Sequence, residues 1–344
     1  MPQPKKTFLL NRGQYDAPAK QVFPNTPEKI LPFPSQLPKN RYGLAQWLTD
    51  TRNPLTARVA VNHLWQNFFG RGLVKTAEDF GNQGEMPSHL DLLDWLAIEL
   101  RDNNWDIKKL NKLIVMSATY QQDSKASPLL NEKDPENKLL ARGPSMRLSA
   151  EMIRDNALTA SGLLNKKLGG KSVYPYQPEG LWEINGTKYN QDSTDQVYRR
   201  SLYIVLKRTV PNPTLANFDG PTRASCLVRR QSTNTPLQAL VTLNDPTFIE
   251  AAKVIGESIT KQQNTEAAIS KAYQQLTGTT PTTKQMALLN ALQQSEYNKF
   301  KAYPNKIKGW INTGLYKIDK TLDPYWVAAN SVVASTILNS DATI

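Results

Sequence analysis

The sequence predicts a mainly α protein: an irregular helical domain with long loops and one small β-hairpin or sheet. Three observations predict it. Apolar residues recur at spacings of three and four in a series of stretches, several of which open on a capping residue. Twenty-three prolines among 344 residues interrupt these stretches and call for long irregular connections. One segment, Ser201 to Arg208, alternates with the two-residue period of a half-buried strand.

Residues 1–41 crowd Pro32, Pro34 and Pro38 together without periodicity and read as an extended Pro/Lys-rich strap or linker from an upstream region. A main helical domain is expected over 42–260, and a C-terminal helical extension packing back on the core over 261–344. From Gly43 a short amphipathic helix carries Leu44, Trp47 and Leu48 on one side. The stretch from 53 to 81 follows, around which the rest is arranged. Asn53 accepts from free backbone N–H groups and Pro54 suits the first helical position, so a helix is expected to start here and run to about Phe69. Ala57, Val61, Leu64, Trp65, Phe68 and Phe69 form its apolar arc, while Arg58, Asn62 and Gln66 line one flank at four-residue spacing. Gly70-Arg71-Gly72 stops it, because glycine accepts the left-handed ending that other residues avoid.

Ser88 is expected to cap the next helix, with Met86 stapled on Leu92 and with Leu92, Trp95, Leu96, Ala97 and Leu100 buried. Ile107 to Tyr120 then buries Leu110, Leu113, Ile114 and Ala118. After a polar stretch with a turn at Asp134-Pro135, a helix is expected from Ser149 through Leu164, ended by Gly169-Gly170. Arg147, Glu151, Arg154 and Asp155 share one of its faces. Their spacing suits a ladder of ion pairs contributing about 0.2–0.5 kcal/mol each. The alternative turns Glu151 and Arg154 inward as a buried polar network. An aromatic loop from Tyr174 to Trp182 follows, then the strand from Ser201, whose partner near Ala224 to Arg229 would complete a hairpin. Thr235 to Gln238 is a capping box, Asp245-Pro246 opens a helix to about Ile259, and further helices start near Glu266 and Thr282. The apolar stretch from Asp323 to Asp341 closes the series.

Hydrophobic residues at 39% and charged residues at 21% are values of soluble globular chains. No run approaches the ~18 apolar residues of a membrane span. The apolar run at Phe8-Leu9-Leu10 is far short of the ~7–15 residue core of a secretory signal, so if the protein is exported its signal lies upstream. Cys226 is alone, which excludes an internal disulfide, a CxxCH haem attachment and a cysteine zinc site. His63 and His89 form no HExxH pair, and no metal site is expected. Nucleophile-elbow, P-loop and dinucleotide-binding glycine motifs are all missing.

The net charge of +12 is uneven. Between Val197 and Gln231, Arg199, Arg200, Lys207, Arg208, Arg223, Arg229 and Arg230 face a single acid, Asp219. Arginine's fork suits carboxylate, sulfate or phosphate, although a solvated basic face is the plainer alternative. The candidate binding residues are therefore Arg58, Asn62, Arg147, Arg154, Arg199, Arg200, Arg208 and Trp182, whose ring suits sugar or base stacking as well as loop anchoring. Catalysis would fall to carboxylates, with Asp79, Glu151 and Asp155 as candidates, since a glycosidase needs two carboxyls ~5–9.5 Å apart.

The blocks NPLTARVAVNHLWQNFFGRGLVKTAEDFG, PSHLDLLDWLAIEL, DPENKLLAR, RLSAEMIRD, RRSLYIVLKR, FDGP and STNTPLQALVTLNDP together, in order, resemble the planctomycete-specific cytochrome-c-associated C-terminal domain, domain of unknown function 1553. The resemblance runs over nearly the whole chain, from about Leu10 to Asp341. Arg58, Asn62, Trp65, Gly70, Gly72, Asp79, Phe80 and Gly81 match the first block, and Arg147, Glu151, Arg154 and Asp155 match the RLxAExIRD block.

The resemblance implies an exported, periplasmic or extracellular part of a multidomain protein with a role in polysaccharide utilisation. It implies no cofactor in this chain, with haem c confined to an upstream segment, and it brings no established reaction. Three functional readings follow. The first is binding, or helping to process, an anionic or complex polysaccharide. The second is a structural or docking module that presents an upstream haem domain to a partner protein of the same export system. Nucleic-acid binding through the basic cluster comes last, because no nucleic-acid motif accompanies the charge. Oligomeric state has no signature in the sequence.

Overall fold

Thirteen helices and one two-stranded antiparallel sheet make up the regular structure of the described residues, 5–183 and 186–344 of a computed structural model. The protein is thus mainly α with one small hairpin. It divides into two compact units, Met1–Met146 and Arg147–Ile344.

In the first unit the hairpin lies within the stretch read as a strap, of which residues 1–4 fall outside the described residues. β1 (Thr7–Leu10) pairs with β2 (Pro18–Val22), Thr7 opposite Val22. Pro18 opens its strand, where a missing N–H removes least from the ladder. Nearly every residue of both strands is exposed, so no apolar alternation marks them in the sequence.

α1 (Arg41–Leu48) is capped by Asn40, whose side chain accepts from the N–H groups of Tyr42 and Gly43. Of its expected apolar side only Trp47 is buried, its indole N–H donating to the Leu31 carbonyl at 2.9 Å; Leu44 and Leu48 are exposed. α2 (Thr56–Phe69) begins later than expected. Asn53 accepts from Leu55 N–H at 3.0 Å and Thr56 N–H at 3.4 Å, which makes a turn around Pro54 ahead of the helix. Gly70 ends α2 with φ +73°, as the sequence requires.

α3 (Leu90–Asp102), α4 (Ile107–Val115) and α5 (Pro128–Lys133) complete the unit. Its core joins Val61, Trp65, Leu73, Leu93, Leu96, Leu100, Leu110 and Ile114. The stripe on α3 is Leu93, Leu96, Ala97 and Leu100, one turn-to-turn row, which leaves Trp95 48% exposed. Leu113 is exposed for the same reason, and α4 stops at Val115 rather than Tyr120. Met86 is 80% exposed and staples nothing, and His89, not Ser88, directly precedes α3.

In the second unit α6 (Ala150–Ala160) is capped by Ser149 and stops at Ser161-Gly162, well before Gly169-Gly170. The remaining helices are α7 (Pro213–Asn217), α8 (Pro236–Asn244), α9 (Pro246–Thr260), α10 (Thr265–Thr277), α11 (Thr283–Ala302), α12 (Lys308–Asn312) and α13 (Pro324–Leu338). The capping box at Thr235 and the Asp245-Pro246 start form as the sequence indicates. α9 and α13 are buried along most of their length and form the centre, with α6, α10 and α11 packed around them. A Cβ on Gly256 would fall 2.5 Å from the Ser331 nitrogen, so glycine sets how closely these two helices approach. Each buried core side chain such as Phe248 or Ile255 contributes about 1.5–3 kcal/mol.

The expected hairpin of Ser201–Arg208 with Ala224–Arg229 does not form. Ser201–Tyr203 is a 3₁₀ turn, isolated bridges join Val173 to Ile204 and Lys207 to Val210, and Ala224–Arg229 is exposed loop. The apolar alternation there reflects Ile204 reaching the core from an irregular segment rather than a strand burying one face.

Candidate functional site, a clamped loop in the second unit

α6 positions three of the candidate residues and its entry segment a fourth. The inward alternative holds for Arg154, which is 2% exposed. Its guanidinium donates to the carbonyls of Val197 at 2.5 Å and Arg199 at 2.9 Å and to Ser201 Oγ at 3.2 Å. Burial pushes its pKa down, against the neighbouring charge of Asp155. Asp155 Oδ1 accepts from Ser201 N–H at 2.8 Å and from its hydroxyl at 2.7 Å.

Arg199 repeats the arrangement. It is buried, donates to the carbonyls of Lys167, Gly169 and Lys171, and lies 3.9 Å from the centre of the Tyr203 ring. Both arginines hold irregular backbone in place, because a guanidinium's five donors satisfy several carbonyls at once.

No ladder runs along α6. Glu151 instead makes a two-pronged pair with Arg230 at 2.5 and 3.1 Å. Burial alone would raise the Glu151 carboxyl, but the bonds from Arg230 and the nearby charge of Arg223 outweigh it and hold the group below its ordinary value. That is the reverse of what a general acid needs. Arg147 reaches the other way, donating to Asp219 Oδ2 at 2.7 Å, to the Phe218 carbonyl at 3.4 Å and to the Thr233 carbonyl.

These bonds close a loop. Asp219 also accepts from Thr233 N–H at 2.8 Å and from the Thr233 hydroxyl at 2.9 Å. Gln238 Nε2 donates to the carbonyls of Asn217 at 2.9 Å and Thr233 at 3.1 Å. The base of the loop is therefore tied by Arg147, Asp219, Thr233 and Gln238. Between the ties, residues 222–234 are exposed without a break and include Arg223, Cys226, Leu227 and Arg230. Leu227 is 56% exposed, and α8 follows directly with Leu237, Leu240 and Leu243 exposed at three-residue spacing. Sequence reasoning named Asp219 only as the lone acid of the basic cluster and Gln238 only as a capping-box residue, and it did not single out Thr233 or Leu227. Their signal was there, since the FDGP and STNTPLQ blocks flank this loop.

Arg200 and Arg208 are exposed and have no side-chain partner among the described residues. Trp182 is half-buried, packed edge-on against Tyr174 and Tyr189 with the Lys207 ammonium 4.5 Å from its ring centre. Its ring thus anchors the loop.

In the first unit Arg58 donates to Asp94 at 2.6 Å and to the Pro54 carbonyl at 2.5 Å, joining α2 to α3. Asn62 is fully buried and bonds both the N–H and the carbonyl of Val74, at 2.8 and 3.0 Å. A Cβ on Gly72 would lie 2.6 Å from that amide, which explains the glycine. Asp79 accepts from Gly81 N–H at 2.7 Å in a local turn. Asp79 belongs to one compact unit, and Glu151 and Asp155 to the other.

A second cluster, also missed, lies along α9. Glu250 and Lys253 are both fully buried. Glu250 accepts from the hydroxyls of Tyr176 at 2.7 Å and Tyr198 at 2.9 Å and from Tyr316 N–H at 2.5 Å. Lys253 donates to the carbonyls of Thr313 at 2.6 Å and Tyr316 at 2.7 Å; burial pushes its pKa down against the charge of Glu250. Gly314, at φ +81°, passes so close that a Cβ would fall 2.2 Å from the Glu250 carboxyl carbon. These bonds fasten the segment after α12 to α9.

Among the described residues no group of three or more His, Cys, Asp or Glu is placed to hold a metal ion, and no helix is long and apolar enough to cross a membrane. The fold defines a mainly α protein whose charged side chains hold irregular segments in position. The chain belongs to the family described as protein of unknown function (DUF1553), whose model matches residues 40–293, most of its length. The match opens at Asn40, the cap of α1, and leaves the β1–β2 hairpin outside. No curated protein and no solved structure matches the chain.

Proposed function

We propose that the second unit is a docking module whose clamped loop, residues 219–235, seats an acidic protein surface. The observation that carries this reading is the unbroken exposure of residues 222–234 between ends tied by Arg147, Asp219 and Thr233. Ordering an exposed loop costs entropy, and fixing its base in advance leaves less to be lost when a partner binds. Arginine beside exposed leucine is the composition of a protein interface, and the chain's charge of +12 favours acidic partners. A polyanionic glycan would use the arginines and leave Leu227, Leu237 and Leu240 without a role. In this reading the chain is the exported part of a multidomain protein and meets its partner outside the cytoplasm, in the polysaccharide-utilisation setting that its family resemblance implies.

Cys226, the single cysteine, lies exposed in the loop and accepts a photo-crosslinker. Irradiation in an extract of the native compartment should give one discrete adduct with an acidic protein. That protein, purified, should bind the unlabelled chain, and both Arg223→Glu and Leu227→Asp should weaken binding by about tenfold or more. Heparin binding that ignores Leu227→Asp but is lost in an Arg200→Ala, Arg208→Ala double variant, with no protein adduct, would replace this reading with an anionic glycan.

A further inference from the structure

We infer that a concavity formed by the end of α6, the last turns of α9 and one face of α10 binds a small hydroxylated carboxylic acid, of the size and chemistry of one sugar acid. The cavity measures about 400 Å³, within the usual range for a small-molecule site. Ser258 comes from the last turn of α9 and Gln262 from the connection just after it, while α10 presents Lys271 and Gln275 four residues apart on one face of the helix.

None of these four side chains has a partner among the described residues, and all four line the cavity. Polar neighbours in the same wall are already committed: Thr159 to the Asp155 carbonyl, Ser161 to the Leu158 carbonyl and Asn264 to Ala267 N–H. Two amides, each offering donors and an acceptor, one hydroxyl and one ammonium therefore line the same space.

That set matches adjacent hydroxyl groups, which both donate and accept, together with one carboxylate. Lys271 is the one charged side chain among the described lining residues, so the cavity favours an anion over a cation. A single ammonium suits one carboxylate better than a polyphosphate, which would draw several cations or a row of backbone N–H groups. The floor is apolar, with Ile255 and Ile259 reaching it from the core, and the walls are small at Ala268 and Ala272. A sugar ring presents such a C–H face along with its polar edge.

The test is titration calorimetry of the full chain with sodium glucuronate, glucose and sodium acetate. Glucuronate should bind saturably in the millimolar range, and glucose and acetate should each bind at least about tenfold more weakly. Lys271→Met should abolish the preference for glucuronate over glucose. Gln275→Ala should weaken binding of both sugars, and Ala267→Phe, at an exposed lining position, should block both while leaving the melting temperature unchanged. Leu227→Asp, in the docking loop, should change nothing. Failure of glucuronate to saturate, equal binding of glucose, or glucuronate binding indifferent to both Lys271→Met and Gln275→Ala would each overturn the assignment.

Discussion

Asp219 and Thr233, separated by 14 residues in sequence, are joined twice: the Thr233 N–H donates to Asp219 Oδ2 at 2.8 Å and its hydroxyl donates to Oδ1 at 2.9 Å. Arg147 then bonds Asp219 Oδ2 at 2.7 Å and takes the Thr233 carbonyl as well. Arg147, far away in sequence, thereby joins the two ends in closing the base of a solvent-exposed loop that Glu151 also ties at Arg230.

Asp219→Ala should open this loop without unfolding the unit. A nitroxide on Cys226 should become more mobile, and trypsin should cut after Arg223 and Arg229 several-fold faster. The same opening is expected in acid. Burial raises the Asp219 carboxyl, but the Arg147 and Thr233 bonds outweigh it and lower its folded-state pKa. Its contribution is therefore complete above the unfolded value of about 3.9 and is lost as pH falls through the folded one. Nitroxide mobility followed through that window checks the sign, and Asp219→Ala should remove the transition.

Asn62 and Arg58 share a helix flank yet should differ in weight. Asn62→Ala leaves a buried N–H and carbonyl of Val74 unpaired and is expected to cost about 2–3 kcal/mol. Arg58→Ala breaks a partly exposed pair with Asp94 and should cost less than about 1 kcal/mol. Urea unfolding of the two variants measures the gap.

Arg154→Lys should fail to replace Arg154. A lysine brings a point charge in place of a fork, so the carbonyls of Val197 and Arg199 cannot both be served from one position. Chemical denaturation should show a loss of about 2–4 kcal/mol, with Arg154→Met similar.

Tyr176 and Tyr198 should make the second unit sensitive to alkali. Burial, together with the Glu250 carboxylate they bond, raises both pKa values above the ordinary phenol range. For groups raised on folding, the stabilisation is complete below the unfolded value of about 10 and is lost as pH rises through the folded values. Thermal melts should therefore fall steeply above about pH 10, and more shallowly in Tyr176→Phe. Phenolate absorbance should appear together with unfolding for these two side chains.

Much of the helix inventory is legible from the residues alone. The cap Asp245, the box Thr235–Gln238 and the stop at Gly70 act over one to four residues, a range that spacing displays directly. Side-chain orientation is less legible. Trp95 looks like part of an apolar stripe until the row Leu93, Leu96, Ala97 and Leu100 takes the buried face instead. The hairpin β1–β2 escaped notice because strands exposed on both faces have no period-two signature.

By itself, then, the sequence determined several helix caps and stops, the mainly α class and the family, all of which rest on local patterns or ordered blocks. Tertiary structure alone decided the partners of the charged residues that act over long range. Arg154 meets its carbonyls 43 and 45 residues away, Glu151 meets Arg230 at 79, Arg147 meets Asp219 at 72, and Glu250 meets Tyr176 at 74. A charge acts on whatever folding brings within a few ångströms, and no periodicity along the chain encodes those partners.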